Sequence, residues 1–279
     1  MLSGFFEVII LLLSGINVLP LSMGSVFMNA KPLVSIVMPL YNAMPYFEFS
    51  VASVLAQSYE CWELLIVDDC STDGCGQQAV QYASGDSRIK YFRNAANLGV
   101  AASRNIALQN AVGYFIAFLD SDDRWEPDKL EKQVRFMISR SLSITYCSYA
   151  RFSENGLFLG VVNPKPKIGY KHMLFMNHIG LLTAMYDRRK VPGVIFMAVG
   201  HEDYLFWMHA LQKVGSAECV PSDGPMAHYL VRKHSLSGNK LKAAKWQWVN
   251  YRENLGLGFS RSFFYFLCYA FLSFIRKFG

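Results

Sequence analysis

Apolar positions in the middle of the chain come in short blocks separated by polar, helix-like stretches. Val34-Ser-Ile-Val-Met38 is one such block and ends at Pro39; Glu63-Leu-Leu-Ile-Val67 is a second and closes on Asp68-Asp69. Runs this short, bounded by turn residues, predict buried strands. Ile89 to Phe92 predicts a third strand, and Tyr114-Phe-Ile-Ala-Phe-Leu119, apolar throughout, predicts a central strand covered on both faces. Pro45 to Gln57, the segment after Gly74 through Tyr82, and the alanine-rich Gly99 to Ala111 predict helices between them. Strands alternating with helices predict an α/β fold: a Rossmann-like, mainly parallel sheet with right-handed crossovers, flanked by helices.

In sheets of this kind ligands bind beyond the carboxyl ends of the strands. Both acidic clusters fall there: Asp68 and Asp69 after one strand, Asp120, Asp122 and Asp123 after another. Crowded carboxylates repel unless a cation or hydrogen-bond donors offset them. Mg2+ or Mn2+ answers that need, held by one or two carboxylates with substrate phosphates completing the shell. A single Asp-Asp at a strand end is ordinary turn chemistry. Two clusters at two strand ends point instead to a nucleotide diphosphate held with a divalent cation.

Composition narrows the classes. The chain has 279 residues, 52% apolar and 17% charged, with a net charge of +6. Those fractions exclude a disordered chain, and the absence of long Lys/Arg blocks excludes a strong nucleic-acid footprint while leaving room for anionic partners. The six cysteines form no C-x-x-C pair and no zinc-like grouping, which predicts reduced thiols in a cytosolic protein.

Four motifs then occur in order: Val34-Ser-Ile-Val-Met-Pro-Leu-Tyr-Asn42, Val67-Asp-Asp-Cys-Ser-Thr-Asp-Gly74, Asn97-Leu-Gly-Val-Ala-Ala-Ser-Arg-Asn105 and Leu119-Asp-Ser-Asp-Asp123. From Leu33 to Ser235 the chain resembles the family 2 glycosyltransferases, inverting enzymes of the GT-A fold that use nucleotide sugars. The resemblance implies that Pro39 and Tyr41 lie beside the nucleotide base, and that Asp69 bonds the base edge with Asp68 supporting the same loop. Arg104 would sit near the diphosphate or orient the aspartates. Asp120 would face the ribose and sugar, Asp122 would hold the metal, Mn2+ or Mg2+, and Asp123 would stand adjacent. His201-Glu202-Asp203-Tyr204 resembles the family's acidic pair near the acceptor, which makes Asp203 the implied general base. An acidic pair ahead of an apolar run is also a plain helix start. Arg232 and His234, in Tyr229 to Ser237, would close over the donor diphosphate; a simple basic surface segment is the other reading.

The processive members of the family carry a Gln-x-x-Arg-Trp segment and several membrane helices. Neither is present in this sequence, so transfer of a single sugar is expected. One rival, the sugar nucleotidyltransferase, begins with a Gly-rich loop gripping a triphosphate, and nothing like it follows Met38. A non-catalytic nucleotide-sugar-binding assembly protein is the other alternative.

The ends differ from the middle. Phe5 to Leu21 is mostly apolar but broken by Glu7, Ser14, Gly15 and Asn17, and it lacks the basic start and cleavage site of a secretory signal. Residues 1–30 are thus read as an apolar leader, either an anchor of borderline length or a stretch preceding a start at Met23 or Met28. Residues 31–240 are expected to form the catalytic domain and 241–279 a basic, aromatic tail. In that tail Phe263 to Ile275, flanked by Arg261, Arg276 and Lys277, suits the interface of a membrane better than its interior; a packing helix is the alternative. Together these features predict a cytoplasmic enzyme in peripheral contact with the inner face of the cytoplasmic membrane, acting on a glycan or lipid-linked acceptor in bacterial surface-polysaccharide synthesis.

Overall fold

The computed structural model describes residues 31–232 and 240–278. The apolar leader, and His234 with it, lie outside the described residues. The first half is built as the sequence pattern requires: β1 (Val34–Leu40), α1 (Phe47–Leu55), β2 (Trp62–Asp68), α2 (Cys75–Gly85), β3 (Ile89–Arg93), α3 (Val100–Asn110) and β4 (Phe115–Phe118). β1 lies between β2 and β4 with parallel pairing to both, and β3 joins the far side of β2, also in parallel. β1 and β2 are buried along their whole length, which is why their apolar residues do not alternate with polar ones.

One boundary differs from the sequence reading: β1 does not stop at Pro39 but continues to Leu40. Leu119 N–H donates to Val37 O on the β4 side. Two residues on, Pro39 turns its missing N–H to that same side, just past the end of β4. The proline therefore costs the ladder no bond.

Beyond β4 the sheet becomes mixed. After β5 (Arg124–Trp125) and α4 (Lys129–Ser139) the chain adds β6 (Ile144–Tyr146), β7 (Tyr149–Ser153), β8 (Phe158–Val162), β9 (Lys167–Gly169) and the single turn α5 (Tyr170–Met173). β10 (Met185–Asp187), α6 (Glu202–Val214), β11 (Ser216–Cys219) and β12 (Ala227–Val231) follow. The large sheet runs β3-β2-β1-β4-β10-β6-β11-β9, with β10 antiparallel to both neighbours. A second sheet, β5-β12-β7-β8, has no counterpart in the sequence reading. It brings β12 beside the acidic segment ahead of β5.

Two apolar clusters cover the two faces of the large sheet. In one of them the ring of Phe118 meets Phe196, Phe206 and Trp207 edge-on at 5.4, 5.6 and 5.9 Å. Contacts of this kind add about 0.5–1.5 kcal/mol each to simple burial, and they fix α6 against the end of β4. The chain closes with α7 (Lys240–Val249), a π-helical turn at Asn250–Asn254 and α8 (Phe259–Phe278). α8 reaches past the Phe263–Ile275 run at both ends, because Ser262, Tyr265 and Phe266 supply an inward face that the apolar count alone hides. No helix among the described residues is long and apolar enough to cross a membrane.

Candidate active site

The carboxyl ends of β1, β2 and β4 gather the predicted donor-side residues. Asp68 is fully buried: Ser71 N–H donates to its Oδ1 and Tyr91 Oη to its Oδ2, both at 2.8 Å, with Arg93 Nε 3.8 Å away. Asp69 accepts three bonds, from Asn94 Nδ2 (2.7 Å), Leu98 N–H (2.8 Å) and Gly99 N–H (2.8 Å). It thereby answers free amides at the start of α3, where a carboxylate is favoured. Gly99 sits at φ +86°, a left-handed conformation that suits glycine. Asn42 binds the same region from the β1 side, with its N–H 3.1 Å from Ser71 Oγ and its Oδ1 accepting from Thr72 N–H at 2.9 Å. Pro39 is buried in the sheet, whereas Tyr41 stands exposed at the strand end.

Arg104 of α3 joins two elements distant in sequence. Its Nη2 donates to Asp120 Oδ1 at 2.7 Å and its Nη1 to Glu202 Oε1 at 2.8 Å, with the guanidinium lying over the Phe196 ring. Burial opposes its charge, but Asp120 and then Glu202 more than offset that, and the guanidinium stays protonated.

The segment after β4 carries the densest charge. Burial, and then the neighbouring Asp120, push the Asp122 carboxyl up to about 6, against the pull of Arg232. Arg232 Nε lies 3.0 Å from Asp122 Oδ2, and its guanidinium covers the Tyr46 ring. Asp123 is buried, accepts Leu230 N–H at 2.9 Å, and is also raised, by burial first and then by Asp122 and Asp120. β12 thus holds Asp123 in place and leaves Asp120 and Asp122 as the partly exposed pair. No group of three or more His, Cys, Asp or Glu among the described residues can hold a metal alone. The oxygens of Asp120 and Asp122 are hard ligands, and the charge of Asp122 is disfavoured where it stands, which fits Mn2+ or Mg2+ drawing its remaining ligands from a diphosphate.

The residues expected on the acceptor side begin at α6. His201 takes a left-handed conformation (φ 59°, ψ 49°) and turns the chain so that Glu202 and Asp203 open the helix. Asn177 Nδ2 donates to Asp203 Oδ2 at 2.9 Å. Burial, and then Glu202, raise the Asp203 carboxyl above the usual range, with His201 and Arg104 opposing. A raised carboxylate of this kind is suited to accept a proton. Beside it opens a cavity of about 480 Å3, lined in part by Asn177, His201 and Tyr204 and walled on the far side by α7 and α8. α7 reaches this point because Gly200 lets it: a Cβ there would stand 1.9 Å from the Trp246 ring. Asn177, Tyr204 and Gln247 line this cavity; sequence reasoning puts the stretch from Asn177 to Ala184 beside the acceptor and quotes Tyr204 within the acidic motif, but gives neither residue a role and passes over Gln247. The stretch from Asn177 carries no signature that translates into a sugar, and Gln247 lies in a helix that a charge-and-aromatics reading assigns to the surface.

Residues 35–189 match the family model "Glycosyl transferase family 2". The chain belongs to glycosyltransferase family 2. It is 40% identical over 248 residues to TuaG of Bacillus subtilis, named for teichuronic acid biosynthesis, which covers 87% of this chain and 96% of the relative. It is 39% identical over 216 residues to WfgD of Escherichia coli, a UDP-Glc:α-D-GlcNAc-diphosphoundecaprenol β-1,3-glucosyltransferase, covering 77% and 84%. Among solved structures, residues 1–349 of Staphylococcus aureus TarS in complex with UDP-GlcNAc superpose with a TM-score of 0.66 at 20% identity, over 86% of this chain and 72% of that one. The fold of this family 2 glycosyltransferase is therefore GT-A, as the motifs implied.

Proposed function

We propose that this glycosyltransferase moves a single sugar, with inversion, from a UDP-linked donor to a lipid-linked saccharide in bacterial surface-polysaccharide assembly. One observation carries the reading: Arg104 ties the acidic segment of Asp120 and Asp122 to the helix that begins with Glu202 and Asp203. Leaving-group and nucleophile chemistry thus share one rigid joint. The name of WfgD supports the acceptor class and the donor base, and that of TuaG supports a surface polysaccharide as the product.

On this reading Tyr41 flanks the nucleotide base, and Pro39 with Asp68 and Asp69 builds the loops around it. Asp120 and Asp122 would hold the divalent cation, Mn2+ or Mg2+, which would supply charge neutralisation for the departing nucleoside diphosphate. Arg232 adds positive charge on the same side. Asp203 takes the proton from the acceptor hydroxyl as that oxygen attacks the anomeric carbon. Asn177, bound to Oδ2, fixes the carboxylate so that Oδ1 is presented to the hydroxyl. A single acid on the acceptor side suffices for inversion; retention by double displacement needs a nucleophilic carboxylate as well. The exposed apolar face of α8 rests on the inner surface of the cytoplasmic membrane.

The test is a UDP-release assay with UDP-glucose, Mn2+ and N-acetylglucosaminyl diphosphate on a lipid chain. Release that depends on acceptor, is lost with EDTA and yields a β-linked product is the expected result. Pyrophosphate release from UTP and a sugar phosphate, or binding of UDP without any turnover on any UDP-sugar, overturns it.

A further inference from the structure

Asn105 closes the motif that begins at Asn97, and the reaction as derived gives it no part. It stands inside α3, where asparagine is a poor helix former because its side chain competes for backbone partners. Here that side chain is turned to another stretch of backbone. Asn105 Nδ2 donates to Phe196 O and Phe196 N–H donates to Asn105 Oδ1, both at 2.8 Å. A carboxamide donates and accepts at once, so it pairs with main chain as a neighbouring strand would; a carboxylate lacks the donor.

The stretch it grips is the approach to the acidic pair. Residues 188–201, between β10 and α6, carry no strand or helix. Among the described residues, Phe196 is the one point at which the backbone of 192–198 is hydrogen-bonded to another element. Ile195 is 60% exposed, whereas Phe196 beside it is 2% exposed. The Phe196 ring stacks on Phe206 of α6 at 4.4 Å, and the Arg104 guanidinium lies over it, 5.3 Å from its centroid. Arg104 and Asn105, consecutive in α3, therefore reach α6 by two routes. One runs through Glu202 Oε1 and the other through the seat of the Phe196 ring.

We infer that Asn105 is a positioning residue for the start of α6. Its amide fixes the Phe196 backbone, the backbone fixes the ring, and the ring supports the guanidinium that spans Asp120 and Glu202. Without that amide Arg104 keeps its charge but loses the surface that aims it. Asp203, next to Glu202, then loses its register with the donor end. The inference rests on the transfer reaction proposed above, with Asp203 as base.

The experiment compares full chains carrying Asn105→Ala, Phe196→Leu, both changes, or Ile89→Ala. Ile89 is buried at the start of β3, at the end of the sheet opposite the site, and serves as the control for lost stability. UDP release is followed with UDP-glucose, Mn2+ and the acceptor used above. In Asn105→Ala kcat falls about 10- to 100-fold, the scale of a small misplacement of reacting groups. KM for UDP-glucose and Kd for UDP with Mn2+ stay within about twofold. Phe196→Leu loses a similar factor, and the double variant loses no more than about threefold beyond the worse single, because both act through one guanidinium. Ile89→Ala lowers the thermal midpoint at least as far yet keeps its kcat. Hydrogen exchange quickens in Asn105→Ala at the Phe196 amide and from Leu205 onward in α6. At Leu98 and Gly99, held by Asp69, it does not change. Four results overturn the inference: an unchanged kcat, single losses that multiply, UDP affinity that falls in step, or an Ile89→Ala enzyme that slows as much. Failure of the functional reading shows differently, as a wild type that releases no UDP. Exchange then scores the hold of Asn105 on α6 alone: an unaltered rate at Leu205 breaks it and a quickened one upholds it.

Discussion

At the donor end the buried carboxylates are answered by other protein atoms: Asp69 by three donors, Asp68 by Ser71 and Tyr91, Asp123 by Leu230. At the other end, on the far side of Arg104, the side chains of Arg151, Asn177 and His201 line an open cavity. The contrast separates two uses of polar side chains. Saturated groups build loops of fixed shape before any ligand arrives, as preorganised catalysis needs. Side chains that line an open cavity instead meet whatever ligand enters it, and their pairing with that ligand decides selectivity.

Asp203 sits on the border, and altering it is the severest way to break the contrast. Asp203→Asn should retain donor and acceptor binding while kcat falls by about 10²–10⁴-fold, the usual worth of a general base. A near wild-type rate would move the base elsewhere. The base works only when ionised, and burial with Glu202 raises its pKa. The acid-side fall of kcat/KM in the wild type should therefore begin at a higher pH than an ordinary aspartate gives, and no such limb should remain in the variant.

Asp122→Ala should strike the donor end alone. Metal-dependent UDP affinity should drop about 100-fold or more, since even outer-shell partners of a metal are worth about 10–100-fold. Acceptor binding measured without nucleotide should not change, and parallel losses in both would dissolve the distinction. Gly200→Ala acts in the opposite direction. Its Cβ would collide with Trp246, so α7 must shift, at a cost of about 1–3 kcal/mol for overpacking. Acceptor affinity should fall while UDP–Mn2+ affinity holds, by calorimetry on each ligand. The mildest effect belongs to the exposed apolar face of α8. Leu267→Glu with Phe271→Glu should reduce co-sedimentation with phosphatidylglycerol vesicles by roughly five- to tenfold, as apolar burial at the interface is lost. Turnover on a short-chain acceptor should stay level; an undiminished vesicle interaction would place the membrane contact on another surface.

Much of the donor end is legible in the sequence, because each residue there sits at a strand terminus and strands announce themselves as apolar blocks. Asp69 and Asp122 could be located from Val67 and Leu119 without any tertiary information. The partners of Asp69 could not: Asn94, Leu98 and Gly99 approach it through a loop whose path is set by the pairing of β3 with β2. The second sheet escaped notice for the same reason. β7 and β12 pair in parallel across a long stretch of chain, and β8 is mostly exposed, so neither alternation nor a buried block marks it. Gln247 is less legible still. In sequence it is one polar residue between two tryptophans, and only the space left by Gly200 turns it inward.

The bridge made by Arg104 has a mechanical corollary. A guanidinium is flat, stiff and permanently protonated, so its two arms cannot be moved independently. If Asp120 swings toward an arriving cation, Nη2 loses its partner and becomes a spare donor in front of the leaving phosphate. Nη1 meanwhile still restrains Glu202, next to Asp203. One side chain thus holds the acidic segment after β4 and the first turn of α6 in a fixed relation to each other.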